Sequence, residues 1–177
     1  MATLGFEDIY DDPIRKICIR SALLHKGYVH IDKVSPTGPL GVSFLTSGSL
    51  RVLDGDIKDW GYHYKGVRIA GSDNDLAHYA TEKFLAIGLE DNTKYYCIVD
   101  PTYSIQWDGY VVTVPPGDTV TLDKAEDKNI FLATTSAVVD GTTHYKDDVI
   151  TLSSTTARVT AKEGELIFAV FWDPEAL

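Results

Sequence analysis

The sequence predicts an all-β protein built as an antiparallel sandwich, and three observations support that prediction. Short runs of β-branched and aromatic residues recur along the chain, and each is closed by Gly, Asp, Ser or Pro. An Asp-Gly pair at 108–109 stands between two such runs, which is a strong hairpin signal. The third observation is length, because 177 residues suffice for one large β domain or two small ones with a real core.

The hairpin is expected over residues 104–114, with Asp108 and Gly109 as its two-residue loop. Such a loop needs φ above zero at both positions, which Asp tolerates and Gly adopts freely. Replacement of Gly109 by Val should therefore be strongly destabilising, because a β-branched residue resists that conformation.

The chain divides into three predicted segments. Residues 1–27 form an N-terminal arm, 28–102 a first β unit, and 103–177 a second β unit that either stands apart or shares one sandwich with the first. Asp12 followed by Pro13 predicts a short helix in the arm, since an acidic N-cap before Pro is a typical helix start. The rival interpretation is a strand, because the run ICIR at 17–20 also alternates.

A faint internal repeat relates the two β units. The matching pieces are Phe44, Leu45, Ser49 and Val52 with Phe131, Leu132, Ser136 and Val139, and then His63, Tyr64 and Lys65 with His144, Tyr145 and Lys146. The alternative is that all β meanders look alike at this level. A true repeat would mean two related β units.

The second β unit resembles the cupin superfamily over about residues 110–172. The segments that carry the resemblance are VPPGDTVTL at 114–122, NIFLATTSAVVDGTT at 129–143, KDDVITLS at 146–153 and AKEGELIFAVF at 161–171. In this resemblance Gly141 is the turn glycine, and Asp147 replaces a usual Gly before Asp148. The resemblance, with a fainter copy at 40–100, implies a jelly-roll, cupin-like β-sandwich.

Catalytic cupins hold a metal with an H-x-H pair, a following Glu and a later His, and this sequence contains no H-x-H pair. Two His at that spacing share one face of a strand, which is why it suits a metal site. The best remaining set is His63, His78 and Glu82, weighed against three unrelated surface or turn residues. His144 lacks a carboxylate at matching spacing and is expected at the surface. We therefore expect no catalytic residue, no metal and no cofactor.

An aromatic cluster raises a carbohydrate-binding alternative. Its members are Trp60, Tyr62, Tyr64 and Tyr79, which would form a shelf for sugar rings. The commoner role of such residues is to fill the end of a β barrel.

Charge and leader signals restrict the partners. A net charge of −10 without clustered Lys and Arg argues against nucleic acid and against an anionic membrane. The first eight residues show neither a basic nor an apolar leader segment, so no signal peptide is expected, and no apolar run approaches the roughly 20 residues of a membrane span. Cys18 and Cys97 are expected to be reduced, partly buried thiols rather than a disulfide.

A small acidic β protein with no catalytic signature resembles the virion structural proteins of tailed bacteriophages. The first expectation is a non-enzymatic capsid decoration, vertex or tail-associated subunit, made in the host cytoplasm without a signal peptide and located in the virion. It would act through homo-oligomer or lattice contacts with itself and other virion proteins. The alternative is a metal-dependent cupin-type enzyme or a carbohydrate-binding β-sandwich module.

The N-terminal arm is predicted to belong to the oligomer contact. Its apolar residues are Ile14, Ile17, Ile19, Leu23 and Leu24, in a stretch too short to bury them alone. Removal of residues 1–26 would then leave a folded β domain that no longer associates. The alternative is that these side chains pack on their own domain.

Overall fold

The computed structural model describes residues 7–27, 29–32, 42–54, 58–68, 84–102, 104–105, 107–123, 129–152 and 156–176. In these residues the chain forms sixteen strands and one short 3-10 turn at Pro174–Ala176. All strand pairs among them are antiparallel. The predicted all-β antiparallel fold is confirmed. Nothing in the described ranges is a helix long and apolar enough to cross a membrane.

The chain divides into two units, Met1–Trp107 and Asp108–Leu177. The described strands of the first unit are β1 (Glu7–Asp12), β2 (Ile17–Leu24), β3 (Val29–Asp32), β4 (Val42–Ser47), β5 (Ser49–Asp54), β6 (Lys58–Tyr64), β7 (Phe84–Gly88) and β8 (Thr93–Val99). They make two four-stranded sheets, with the orders β1-β2-β8-β4 and β3-β7-β5-β6.

The second unit has the same layered design. Its strands are β9 (Asp108–Val114), β10 (Thr119–Asp123), β11 (Ile130–Ala133), β12 (Ala137–Val139), β13 (Thr142–His144), β14 (Val149–Thr151), β15 (Thr156–Ala161) and β16 (Leu166–Trp172). They form the sheets β14-β11-β16-β9 and β10-β15-β12-β13. Inward side chains of both sheets make one apolar core, in which the rings of Phe131 and Phe168 lie 4.6 Å apart between centroids.

The two units repeat one strand order. The series β2-β8-β4 corresponds to β9-β16-β11, and β3-β7-β5-β6 corresponds to β10-β15-β12-β13. The sequence repeat falls on equivalent strands, since Phe44 and Phe131 lie on β4 and β11, and His63 and His144 lie on β6 and β13. The two units therefore share one strand order, and a common origin of the sequence repeat stays a prediction.

The predicted N-terminal helix is wrong, because the arm is the hairpin of β1 and β2. Asp12 does cap a turn, since its carboxylate accepts hydrogen bonds from the backbone N–H of Ile14 at 3.1 Å and of Arg15 at 3.0 Å. The turn ends at Lys16, which has a φ of 59° and redirects the chain into β2. Tertiary pairing overrides the capping signal here, because β2 lies between β1 and β8.

The five apolar residues of the arm divide into two groups. Ile17, Ile19 and Leu24 are completely buried in the structure, whereas Ile14 is 91% exposed and Leu23 is 45% exposed. The buried three pack as strand residues and do not need a second molecule. An oligomer contact through Ile14 and Leu23 stays a prediction.

Matched alanine substitutions test this division. Ile19→Ala should lower the free energy of unfolding by about 2–5 kcal/mol, because it leaves a cavity beneath β2. Ile14→Ala removes an exposed side chain and should change it by less than about 0.5 kcal/mol. Urea unfolding of the two variants measures both values. Equal losses would show that β2 is not part of the core.

The predicted hairpin at 104–114 is also wrong. Asp108 and Gly109 already belong to β9, where Gly109 is paired with Phe171 of β16. A two-residue Asp-Gly loop does occur, but between β12 and β13, where Asp140 has a φ of 49° and Gly141 a φ of 81°. Gly109 is needed instead for close approach, because a Cβ there would lie 3.0 Å from the Cα of Phe171.

Asparagine distinguishes the two glycines, because it tolerates φ above zero but still carries a Cβ. Gly109→Asn should cost about 2–3 kcal/mol, since β9 and β16 must move apart. Gly141→Asn should cost less than about 1 kcal/mol, because open space surrounds that Cβ position. Thermal unfolding compares them, and a Gly109 variant as stable as the Gly141 variant would contradict the strand assignment.

Candidate functional site

An open cleft of about 390 Å³ lies between the edge strands β13 and β14 of the second unit. Its residues are Val139, Asp140, Thr142, His144, Ile150, Thr151 and Leu152. The aliphatic side chains continue the core, while a carboxylate, an imidazole and two hydroxyls add polar groups. This combination of apolar wall and few polar groups is typical of small-molecule sites.

His144 is the chemically versatile group of this cleft. Its Nδ1 lies 3.8 Å from the Oδ2 of Asp148, and its side chain is only 19% exposed. The same Oδ2 accepts a hydrogen bond of 2.7 Å from the backbone N–H of Tyr145, which fixes the carboxylate beside the ring. A histidine with a carboxylate close to one ring nitrogen is a common acid–base arrangement.

A tight turn brings Asp148 back to His144. Asp147 adopts a φ of 65°, its N–H donates to the carbonyl of Ala133 at 2.7 Å, and the N–H of Asp148 donates to the carbonyl of Tyr145 at 3.1 Å. This left-handed residue stands where cupins often have Gly, which is a physical reason for that preference. The sequence expectation that His144 lacks a carboxylate is therefore wrong.

A cupin-type metal centre does not fit the described residues. The interior of the second unit is filled by apolar side chains such as Phe131, Val159 and Phe168. No three His, Cys, Asp or Glu side chains converge as ligands anywhere in the described ranges. Of the predicted set, His63 lies on β6, while His78 and Glu82 fall outside the described residues. That set stays a prediction.

Both cysteines are free and buried in the first unit, as expected from the sequence. Cys18 Sγ lies 3.7 Å from Asp8 Oδ1, and the hydroxyl of Ser43 donates to Cys97 Sγ at 3.4 Å. Burial raises the pKa of the Cys18 thiol, although nearby Arg20 opposes that shift. A thiol with a raised pKa is a poor nucleophile at neutral pH, so this cluster is structural.

Asp100 has the most strongly lowered pKa that the structure resolves, and its role is also structural. Its carboxylate accepts hydrogen bonds from Thr102, Ser104 and the backbone of Ile105, at 2.7–2.9 Å. Burial alone would raise the pKa of Asp100, but these hydrogen bonds outweigh it and lower the pKa to about 2. Ser104 also accepts a hydrogen bond from Lys16 Nζ at 2.8 Å, which ties this loop to the β1–β2 turn.

Acid should therefore destabilise the protein through Asp100. Its pKa is about 2 in the folded state against an ordinary value of 3.8, so its stabilisation is complete above the higher value and is lost as pH falls towards the lower one. Urea unfolding at pH about 6 and about 2.5 measures that loss. Asp100→Asn should be less stable at the higher pH and should lose less on acidification than exposed Asp118→Asn does. Equal acid losses in the two variants would contradict this role.

No protein-family model matches the sequence, and no curated protein matches it. Solved structures do. YhaK from Escherichia coli matches with a TM-score of 0.63 and 7% identity, covering 96% of this chain and 92% of that one. The bacterial pirin YhhW from Escherichia coli, in complex with nickel(II), matches with a TM-score of 0.53 and 10% identity, covering 94% of this chain and 88% of that one. Quercetin 2,3-dioxygenase from Acinetobacter baumannii matches with a TM-score of 0.50 and 12% identity, covering 89% of this chain and 74% of that one.

These similarities establish a cupin-like jelly-roll fold, as the sequence resemblance implied. They overturn the expectations of a bacteriophage virion subunit and of a chain without enzymatic activity. The similar structures include a quercetin dioxygenase and a bacterial pirin.

Proposed function

We propose that this chain is a cupin-fold enzyme that moves protons on a small polar substrate in the β13–β14 cleft. The observation that carries the proposal is His144, which lines the cleft while Asp148 lies 3.8 Å from its Nδ1. Such pairs are often long in the absence of substrate and tighten when one binds.

In this proposal Asp148 orients the imidazole and His144 transfers the proton. Asp148, fixed by the Tyr145 N–H, holds Nδ1 and stabilises the imidazolium that forms. Nε2 of His144 is then the atom that takes a proton from a substrate carbon or hydroxyl and returns it. The hydroxyls of Thr142 and Thr151 supply hydrogen bonds that orient the substrate.

The charges of the cleft favour a neutral substrate over an anionic one. Among the described residues that line the cleft, the ionisable ones are Asp140 and His144, with Asp148 beside the latter, and none is Lys or Arg. An anionic substrate would meet carboxylates without a cationic partner, which is unfavourable. The cleft therefore suits a neutral, hydroxylated substrate with an acidic C–H next to a carbonyl, such as an aldose or ketose.

Solvent deuterium exchange tests this function. The intact protein is incubated in D₂O with neutral aldoses and ketoses, and proton NMR follows exchange next to the carbonyl. His144→Ala should lower the exchange rate by about 100-fold or more, and added imidazole should restore part of it. Asp148→Asn should cause a smaller loss, and His25→Gln, in the first unit, should cause none.

Two outcomes would reject the proposal. One is the absence of exchange with every sugar, and the other is exchange that survives His144→Ala. Activity that disappears on chelation and returns with a divalent metal would instead support the metal-dependent alternative with His63.

A further inference from the structure

We infer that the outer face of the β5–β6 hairpin, in the first unit, binds neutral carbohydrate. This inference is independent of the acid–base function, because it rests on different residues in the other unit. Its basis is an aromatic surface formed by Tyr62 and Tyr64, flanked by Arg51 and Glu90.

The two tyrosines present their rings to solvent. Tyr62 and Tyr64 are 57% and 59% exposed, although both are large aromatic side chains on a strand. They are two residues apart, so they share one face of β6 and stand about 6.7 Å from each other along the strand. The opposite face carries Leu50, which is fully buried and pairs with His63. The tyrosines therefore form an outward platform.

Charged groups of both signs stand beside this platform. Arg51 pairs with Tyr62 across the hairpin, and its guanidinium carbon lies 5.7 Å from the ring centroid. Ser49 pairs with Tyr64, and its hydroxyl donates a 2.7 Å hydrogen bond to Glu90 Oε2. A guanidinium thus stands near the Tyr62 ring, and the residue paired with Tyr64 is hydrogen-bonded to a carboxylate.

This chemistry fits a sugar better than other ligands. A pyranose ring has an apolar C–H face that packs on an aromatic ring, and a rim of hydroxyls that accept from guanidinium and donate to carboxylate. One positive and one negative group favour a neutral ligand over a uronate or a phosphate. A stable protein interface needs about 800 Å² on each partner, far more than two rings with charged neighbours provide.

Affinity measurements on the full chain test the inference. The probes are neutral oligosaccharides of glucose, mannose, galactose and N-acetylglucosamine, with polygalacturonate as the acidic comparison. Tyrosine fluorescence and saturation-transfer NMR report binding. We expect at least one neutral oligosaccharide to bind and polygalacturonate not to bind.

Substitutions then locate the site. Tyr62→Ala and Tyr64→Ala should each weaken binding by about tenfold or more, consistent with the loss of one stacked ring. Tyr145→Ala is the matched control, because it removes a tyrosine that is 66% exposed on the second unit. It should leave affinity unchanged.

Three results would overturn the inference. They are the absence of binding to every neutral oligosaccharide, binding that persists in the Tyr62 and Tyr64 double alanine variant, and equal weakening in Tyr145→Ala. Self-association of the native chain that the double variant abolishes, without sugar binding, would assign this surface to a protein contact instead.

Discussion

The position of the closing strand in each unit is the constraint on which the rest of the structure depends. β8 lies between β2 and β4, and β16 lies between β9 and β11, so the last described strand of each unit joins an early strand to a middle one. Residues 166–171 of β16 are all buried, which explains why that strand reads as a continuous apolar run rather than an alternating one. Without β8 the strand β4 would lose its partner in the sheet, and without β16 the strand β9 would lose its partner. The cleft of the second unit depends on the same sheet, because β14 pairs with β11 beside β16.

Strand content was predictable because it depends on local patterns, whereas strand pairing was not. The alternation at 17–20 and the Asp-Gly pair at 140–141 are local signals, and the structure uses both. The Asp-Gly pair at 108–109 has the same letters but lies in β9, because β16 arrives from a distant part of the chain and pairs with it. A two-residue turn signal contains no information about pairing with a strand more than fifty positions away in the sequence.

The candidate site was less predictable than the fold for a related reason. His144 and Asp148 are four residues apart, a spacing that does not bring side chains together on a strand. They meet because Asp147 takes a left-handed conformation, which the sequence shows only as an Asp where relatives of the fold have Gly. The internal repeat predicted the position of His144 in the fold better than the motif search did, because it matched His144 with His63 and the two residues lie on equivalent strands.

The placement of β16 also fixes the order of events during biosynthesis. The ribosome makes this strand after the other described strands of its unit, yet it is central to its sheet and supplies Phe168 and Val170 to the core. The edges of β9 and β11 that pair with β16 therefore stay unpaired until β16 itself has been synthesised. The first unit contains its own closing strand, β8, so it can fold while the second unit is still being synthesised. Until then, the unpaired edges of β9 and β11 are sites where another chain could add a strand.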